Sequence, residues 1–361
     1  FHKAIQHDSK FARAYAAIAI AYYFVDEPKI EKQFSDSINY YADKALLHDS
    51  QLPQSLIAKA LFYMSHREFE LAVPYFEKTL ELNPNNDLVF IFLVDLYVHH
   101  LPNTEKYLEY ALKGLEVDVV AAYDSATASY SFLHISNAFI QAGFVDEAEK
   151  YINKSLEYLD DNLYSQYTRA FILFAKNRDL KKLNETLLEV FEKDKTRLDV
   201  MQEVAKSYYY LRDYENSFKY YKSFAEIRNT YQLDMYRSEN YKLGYVYEQV
   251  GELEKGKLFF EDYKFIAEQN ESIYKHYNLA IYYSHQSEKE KAIEHLRKFS
   301  KESNYHYWIV LFTEMEPIMD YIKDMPEFKK IMSEIESNFE NWHKKIRSSL
   351  EEKDLIWNLL N

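Results

Sequence analysis

Small residues recur in pairs, twelve positions apart, along most of this chain. Five pairs are complete: Ala60 with Ala72, Ser136 with Ala148, Ala205 with Ser217, Gly244 with Gly256, and Ala280 with Ala292. A polar break separates the members of each pair, for example "SHREFE" or "QVGELEK". Two helices joined by a short turn can cross at close range only where their side chains are small. Each pair therefore predicts one helical hairpin.

Large side chains stand at fixed helical distances from these small residues. An aromatic residue lies three positions after the first small residue in all five hairpins: Tyr63, Phe139, Tyr208, Tyr247 and Tyr283. Residues three apart share a helix face, so these rings are predicted to form the core within and between hairpins. The 361 residues include only 5 Gly and 7 Pro, too few turn-forming residues for a large sheet protein. The predicted fold class is all-α.

The clearest repeat is 53–86, "PQSLIAKALFYMSHREFELAVPYFEKTLELNPNN". Its 34 residues and its order of small residue, aromatic, turn, small residue and aromatic resemble the tetratricopeptide repeat (TPR). The resemblance implies a right-handed α-α superhelix whose first helices line a concave groove. About seven repeats and a partial first repeat are predicted. They lie near 12–52, 53–86, 87–121, 129–162, 163–197, 198–231, 237–270 and 273–300.

These repeats diverge from the family pattern. The family's Trp near each repeat start is absent, and repeat 163–197 has Ala170 but places Lys182 where a second small residue is expected. Repeat 87–121 also lacks the second small residue, and repeat 12–52 carries an insertion around "VDEPKIEK". The TPR array is predicted to cover 1–306.

The remaining 307–361 are predicted to form a C-terminal helical cap. Apolar residues alternate in steps of four and three along its long helix: Phe328, Met332, Ile335, Phe339, Trp342, Ile346 and Leu350. A helical repeat array needs a cap over the apolar face of its last repeat, which is the favoured interpretation. The alternative is a short heptad seam that joins two copies as a homodimer through 326–350.

Charge and composition exclude several classes of function. The net charge of −14 argues against a nucleic-acid surface, which needs a basic face. No apolar run reaches the roughly 18 residues of a membrane span, so no membrane contact by this segment is predicted and the expected location is cytoplasmic. The absence of Cys excludes disulfides and thiolate metal sites.

No catalytic constellation is visible in the sequence. The five glycines are isolated, so no phosphate-binding loop exists, and the 12 His show no helix-face spacing that would converge on a metal. We therefore predict that the chain is not an enzyme and that it binds neither a cofactor nor a metal ion.

The groove is the candidate working surface. In TPRs the second, fifth, ninth and twelfth residues of each copy face it, and the candidates here are Tyr130, Asn137, Tyr164, Tyr167, Phe171, Lys206, Tyr209, Tyr241 and Tyr245. These tyrosines could bind an extended peptide or partner helix, with Asn137 bonded to its backbone. Equally, the rings could pack against one another across neighbouring repeats. Chaperone-binding family members grip a carboxylate-ended peptide with several cations, whereas Lys206 stands nearly alone here, so that role is disfavoured.

A second resemblance concerns function. The opening "FHKAIQHDSKFARAYAAIAIAYY" and the phrases "DMPEFKKIM" and "IRSSLEEKDLI" resemble the C-terminal TPR region of bacterial signalling proteins. There the array follows a nucleotide cyclase or a winged-helix DNA-binding domain and regulates it. The expectation is a non-catalytic interaction scaffold that senses or regulates within such a protein, with a domain upstream of Phe1. The alternative is a stand-alone scaffold for complex assembly or envelope biogenesis.

Overall fold

The computed structural model describes residues 1–120, 124–353 and 355, with the backbone alone for 116–120. The all-α prediction is confirmed, because the described residues form 19 α-helices and their one strand-like pairing is a bridge between Lys29 and Leu233. The chain divides into two compact units. Unit 1 comprises Phe1–Leu101 and Tyr231–Met235, and unit 2 comprises Pro102–Thr230 and Tyr236–Asn361.

Unit 1 contains six α-helices and one π-helical turn. They are α1 His2–His7, α2 Ala12–Asp26, α3 Ser35–His48, α4 Pro53–Ser65, α5 Phe69–Leu82, α6 Asp87–Asp95 and the turn Leu96–His100. Small residues let α2, α3 and α4 approach closely, and Ala19, Ala42 and Ala58 are fully buried in their shared core with Tyr15. The first helix of the predicted repeat 87–121 thus belongs to unit 1, while its second helix belongs to unit 2.

Unit 2 contains thirteen α-helices among the described residues. They are α7 Thr104–Val120, α8 Ser125–Gln141, α9 Val145–Tyr158, α10 Leu163–Asn177, α11 Leu180–Lys193, α12 Leu198–Tyr210, α13 Tyr214–Thr230, α14 Asn240–Gln249, α15 Leu253–Gln269, α16 Lys275–His285, α17 Lys289–Phe299, α18 Trp308–Phe312 and α19 Pro326–Glu352. Short 3-10 turns occur at Arg237–Glu239, Thr313–Met315 and Pro317–Met319.

Local sequence signals set several helix starts. Asp124 and Asn162 cap α8 and α10, where their side-chain oxygens accept hydrogen bonds from backbone N–H groups of the first turn. Pro53 and Pro326 occupy the first turn of α4 and α19, where a missing N–H costs nothing.

The paired small residues lie where consecutive helices touch. Ser136 of α8 donates a hydrogen bond from its hydroxyl to the backbone oxygen of Ala148 in α9, over 2.7 Å. At the α14–α15 crossing, a Cβ on Gly244 would lie 2.7 Å from the Phe260 ring and 3.0 Å from the backbone oxygen of Gly256. Any larger side chain at these positions would therefore push the two helices apart.

The α10–α11 hairpin departs from the predicted register. Helix α10 continues to Asn177, so α11 begins ten residues after Ala170 rather than nine as in the other hairpins. Lys182 is consequently exposed, and Leu183 takes the buried position next to it with 3% exposure. The assignment of Lys182 to a helix crossing is wrong, because the helix start moved by one residue.

The apolar stripe of α19 is covered by the same chain. Phe328, Met332 and Ile335 pack in the core cluster that also contains Leu296 and Phe299 of α17. The later stripe residues Phe339, Ile346 and Leu350 are buried as well, and Trp342 is half-buried. The apolar positions that the alternative dimer seam would use are thus largely buried within one molecule.

Candidate peptide-binding face of unit 2

The nine predicted groove residues all lie in unit 2, on the first helix of successive hairpins. Helix α8 carries Tyr130 and Asn137, α10 carries Tyr164, Tyr167 and Phe171, α12 carries Lys206 and Tyr209, and α14 carries Tyr241 and Tyr245. We call this set the inner face. Its two ends differ in exposure.

The end nearer the N-terminus is an open aromatic surface. The side chains of Tyr130 and Tyr164 are 41% and 46% exposed, and their ring centroids are 6.0 Å apart. The Arg197 guanidinium lies 3.6 Å from the centroid of the Tyr164 ring. Arg197 also forms a two-point ion pair with Asp199 at the start of α12. Arg197 itself is only 9% exposed, so this surface offers flat apolar ring area and hydroxyl groups, which suits contact with a polypeptide.

Asn137 and Lys206 already have partners inside unit 2. The Asn137 side-chain amide donates a hydrogen bond to the hydroxyl of Tyr107 in α7, over 3.2 Å. The Lys206 ammonium lies 2.6 Å from the Glu203 carboxylate. Burial opposes the charge on Lys206, but the carboxylates of Glu203 and Glu239 outweigh it and raise the pKa of Lys206. The positive charge of Lys206 is therefore already paired with a carboxylate of the same chain.

The other end of the inner face is covered by a segment of the chain itself. We call Tyr307–Glu316, which includes α18, the strap. Trp308 of the strap contacts Phe171 of α10 with ring centroids 5.7 Å apart. Phe312 stacks on Tyr210 of α12 at 4.8 Å. The strap therefore lies across the helices that were predicted to bind a partner.

Glu316 ends the strap in a pocket of tyrosine hydroxyls. Its carboxylate accepts hydrogen bonds from Tyr241 at 2.9 Å, from Tyr210 at 3.3 Å, and from Tyr209. Glu316 is only 1% exposed, and burial raises the pKa of its carboxyl group, against the opposing charge of Lys242. The Lys242 ammonium, itself 3% exposed, donates to the Tyr241 hydroxyl over 2.5 Å.

Tyr209 and Tyr241 are consequently buried, at 0% and 5% exposure. Tyr245 is half-buried, and its ring meets those of Tyr209 and Tyr214 at 5.7 Å and 5.6 Å. The rings of Tyr209, Tyr241 and Tyr245 therefore pack against other residues of the same chain. Phe171 is also buried, at 8% exposure, and Tyr167 is half-buried beside it with ring centroids 5.3 Å apart.

The residues that cover the inner face were missed in the sequence. Trp308, Phe312 and Glu316 follow one another at intervals of four, which is a helix-face spacing. That spacing was a signal that "YWIVLFTEME" presents one side to a partner surface. It did not reveal that the partner surface belongs to the same chain.

The described part of the chain shows neither a metal-binding cluster nor a membrane-spanning helix. Among those residues, no group of three or more His, Cys, Asp or Glu side chains is arranged to hold a metal ion. None of the described helices is both long enough and apolar enough to cross a bilayer.

Comparison with known proteins supports the repeat interpretation. Residues 53–86, which form the α4–α5 hairpin, match the family model of the tetratricopeptide repeat. The match covers this one hairpin, which is similar to a TPR. Comparison with curated protein sequences gives no significant match.

Several solved structures match the chain at low sequence identity. Yeast Tom70 matches with a TM-score of 0.51 and 16% identity, over 90% of this chain and 68% of that chain. The human IFIT1 dimer with m7Gppp-AAAA matches with a TM-score of 0.48 and 14% identity, over 82% and 67% of the two chains. Pseudomonas aeruginosa PilF matches with a TM-score of 0.43 and 18% identity, over 60% and 91%. At 16% identity, the likeness to Tom70 concerns the fold alone.

Proposed function

We propose that this TPR protein is a non-catalytic protein-interaction scaffold, and that the inner face of unit 2 binds a peptide or a partner helix. The strap is the observation that carries this proposal. Ten residues of polypeptide are seated on α10, α12 and α14 through stacked rings and a buried carboxylate. A surface that holds one polypeptide segment by side-chain contacts has the chemistry to hold another.

The open end of the same face is the proposed entry point for a partner. Tyr130 and Tyr164 are exposed aromatic residues, and tyrosine is among the residues that most often dominate the binding energy of protein interfaces. The partner is expected to be a protein or peptide rather than nucleic acid, since the net charge is −14.

The wider role that we propose is regulatory. The resemblance of the opening and closing phrases to bacterial signalling proteins supports a place downstream of a cyclase or DNA-binding domain, in the cytoplasm. The reading frame upstream of Phe1 tests this role, and a frame that starts within a few residues of Phe1 would favour the stand-alone scaffold instead.

Binding at the inner face is tested with a displayed library of random short peptides selected on the wild-type chain. The double variant Tyr130→Ala with Tyr164→Ala is expected to bind the selected peptides at least about tenfold more weakly, because truncating an aromatic anchor typically costs 1 kcal/mol or more. The measurement is fluorescence anisotropy with labelled peptides, and circular dichroism should remain unchanged.

The matched control is Tyr158→Ala with Tyr321→Ala. These tyrosines are similarly exposed, at 49% and 46%, but lie outside the inner face. The control should bind like the wild-type chain. Selection of no peptide at all, or equal losses in both double variants, would contradict the proposed binding face.

A further inference from the structure

The hydroxyl pocket around Glu316 has the chemistry of a carboxylate receptor. Tyr209, Tyr210 and Tyr241 each direct a hydroxyl at the Glu316 carboxylate. An ionised carboxylate only accepts hydrogen bonds, and it can accept about four, so three donated hydroxyl bonds match it well. The Lys242 ammonium is paired with the Glu239 carboxylate and also donates a hydrogen bond to the Tyr241 hydroxyl at 2.5 Å, which orients that hydroxyl toward Glu316. A carboxamide in this place would turn a donor group toward part of the same ring of hydroxyls.

Two aromatic subsites precede the carboxylate pocket at regular spacing. Trp308 contacts Phe171, while Phe312 stacks between Phe174 at 5.1 Å and Tyr210 at 4.8 Å. The strap thus presents an aromatic residue, a second aromatic four positions later and an acidic residue four positions after that. These three residues contact side chains of α10, α12 and α14.

The strap is built from short elements. Helix α18 has five residues and the 3-10 turn after it has three, and helices of such length are barely stable by themselves in water. Trp308, Ile309 and Val310 are half-buried, whereas Leu311, Phe312, Thr313 and Glu316 are buried. Beyond the strap, Ile318 and Met319 are 3% and 0% exposed in the core cluster with α17 and α19, so the chain remains anchored there if the strap leaves.

We propose that the inner face of unit 2 selects an acidic aromatic peptide, with two aromatic residues and a Glu or Asp spaced four apart. The strap is the internal occupant that such a partner displaces. This inference rests on the proposed function, because it assigns a ligand class and a competitor to the same face. It places the specificity in the pocket of Tyr209, Tyr210, Tyr241 and Lys242.

The experiment uses the full chain and two labelled peptides. One peptide has the strap sequence YWIVLFTEME and the other has YWIVLFTEMQ, in which Gln replaces the Glu316 equivalent, each with a solubilising lysine tail. The chain is either wild type or Glu316→Ala, whose pocket lacks its internal carboxylate. The acidic peptide is expected to bind Glu316→Ala at least about tenfold more tightly than wild type, and about tenfold more tightly than the Gln peptide.

Equal affinity of the acidic peptide for both chains would overturn the inference, as would equal binding of the two peptides or binding of neither. If Glu316→Ala loses cooperative unfolding, Glu316→Gln, which preserves the side-chain size, replaces it. Hydrogen exchange on the wild-type chain is the second readout. Saturating acidic peptide should speed exchange of the backbone amides of 308–316, and unchanged exchange would also overturn the inference.

The two proposals fail separately. If library peptides still depend on Tyr130 and Tyr164 but the acidic peptide shows no preference for Glu316→Ala, the proposed function stands and only the carboxylate pocket is lost. If the acidic peptide binds as expected but Tyr130→Ala with Tyr164→Ala has no effect, the binding face is confined to the strap site.

Discussion

One backbone position recurs in every complete hairpin. Seven residues after the first small residue, the middle residue of a three-residue turn adopts a left-handed conformation with φ between 59° and 87°. These residues are Arg67, Gly143, Arg212, Gly251 and Ser287. Glycine adopts this conformation without a steric penalty, whereas other residues pay about 1 kcal/mol or more. The turn geometry is thus kept even where the sequence offers no glycine, because the helix crossing on either side requires it.

We expect Ser287→Gly to raise the free energy of unfolding by about 0.5–1 kcal/mol, because it removes the left-handed penalty at an exposed side chain. The reciprocal change Gly251→Ser should lower it by about 1 kcal/mol. No atom lies within 4 Å of a Cβ placed on Gly251, so its cost comes from the backbone alone. Chemical denaturation followed by circular dichroism measures both, and changes of the same sign would contradict the explanation.

At the scale of the element, a hairpin's register depends on where its helices begin and end. Helix α10 runs two residues further past its small residue than α8 or α12, and Asp179 then caps α11 by accepting from the backbone N–H of Lys182. This shift makes Leu183 a core residue and leaves Lys182 in an exposed pair with Glu185 at 3.3 Å. Asn184 is also buried and donates to the Ser207 hydroxyl of α12 over 2.9 Å.

The shifted register predicts opposite consequences for two neighbouring residues. Leu183→Ala should lower the free energy of unfolding by about 2–4 kcal/mol, because it empties a buried site. Lys182→Ala should change it by no more than about 0.5 kcal/mol, since an exposed ion pair contributes little. Denaturation midpoints of the two variants decide the matter. A larger loss of stability for Lys182→Ala than for Leu183→Ala would contradict the shifted register and support the twelve-residue spacing.

At the scale of the whole molecule, α19 connects the end of unit 2 to its beginning. After packing on α17, this 27-residue helix contacts the α8–α9 turn, where His343 hydrogen-bonds the backbone oxygen of Ala142 at 3.0 Å. Arg347 then pairs with Glu147 at 3.0 Å, and Lys353 reaches Glu109 of α7 at 2.9 Å. The end of this helix therefore contacts a residue 244 positions earlier in the sequence.

The Glu109 contact makes this closure sensitive to acid. Burial acts against the Glu109 carboxylate, but Lys113 and Lys353 lower its pKa from 4.5 to about 2. A carboxyl group with a lowered folded-state pKa stabilises the fold above its unfolded pKa, and this stability is lost as the pH falls from about 4.5 toward 2.

We expect Glu109→Gln to lower the free energy of unfolding by about 1–2 kcal/mol at pH 7, a value reduced from the full shift because both lysines are partly exposed. The difference between variant and wild type should vanish near pH 2, as measured by denaturation at the two pH values. Glu192→Gln, at an exposed pair with Lys195, is the control and should have little effect at either pH. A loss that is independent of pH would contradict the assignment.

The amino-acid sequence by itself determined the helices, the hairpins and the residues at most crossings. The reason is that these features depend on residues three to twelve positions apart, whose spacing is written in the chain: Ser136 with Ala148, or Gly244 with Gly256. The same spacing predicted that the candidate groove residues lie on the first helices of their hairpins, and they do lie on α8, α10, α12 and α14.

Only the tertiary structure decided which of those residues stay open. Glu316 meets Tyr209 across 107 positions of sequence and Tyr241 across 75, and no local periodicity encodes such a contact. Tyr130 and Tyr209 occupy comparable helix faces, yet one is 41% exposed and the other is fully buried. The difference arises because a returning segment covers one end of the inner face, and burial there depends on where that distant segment packs.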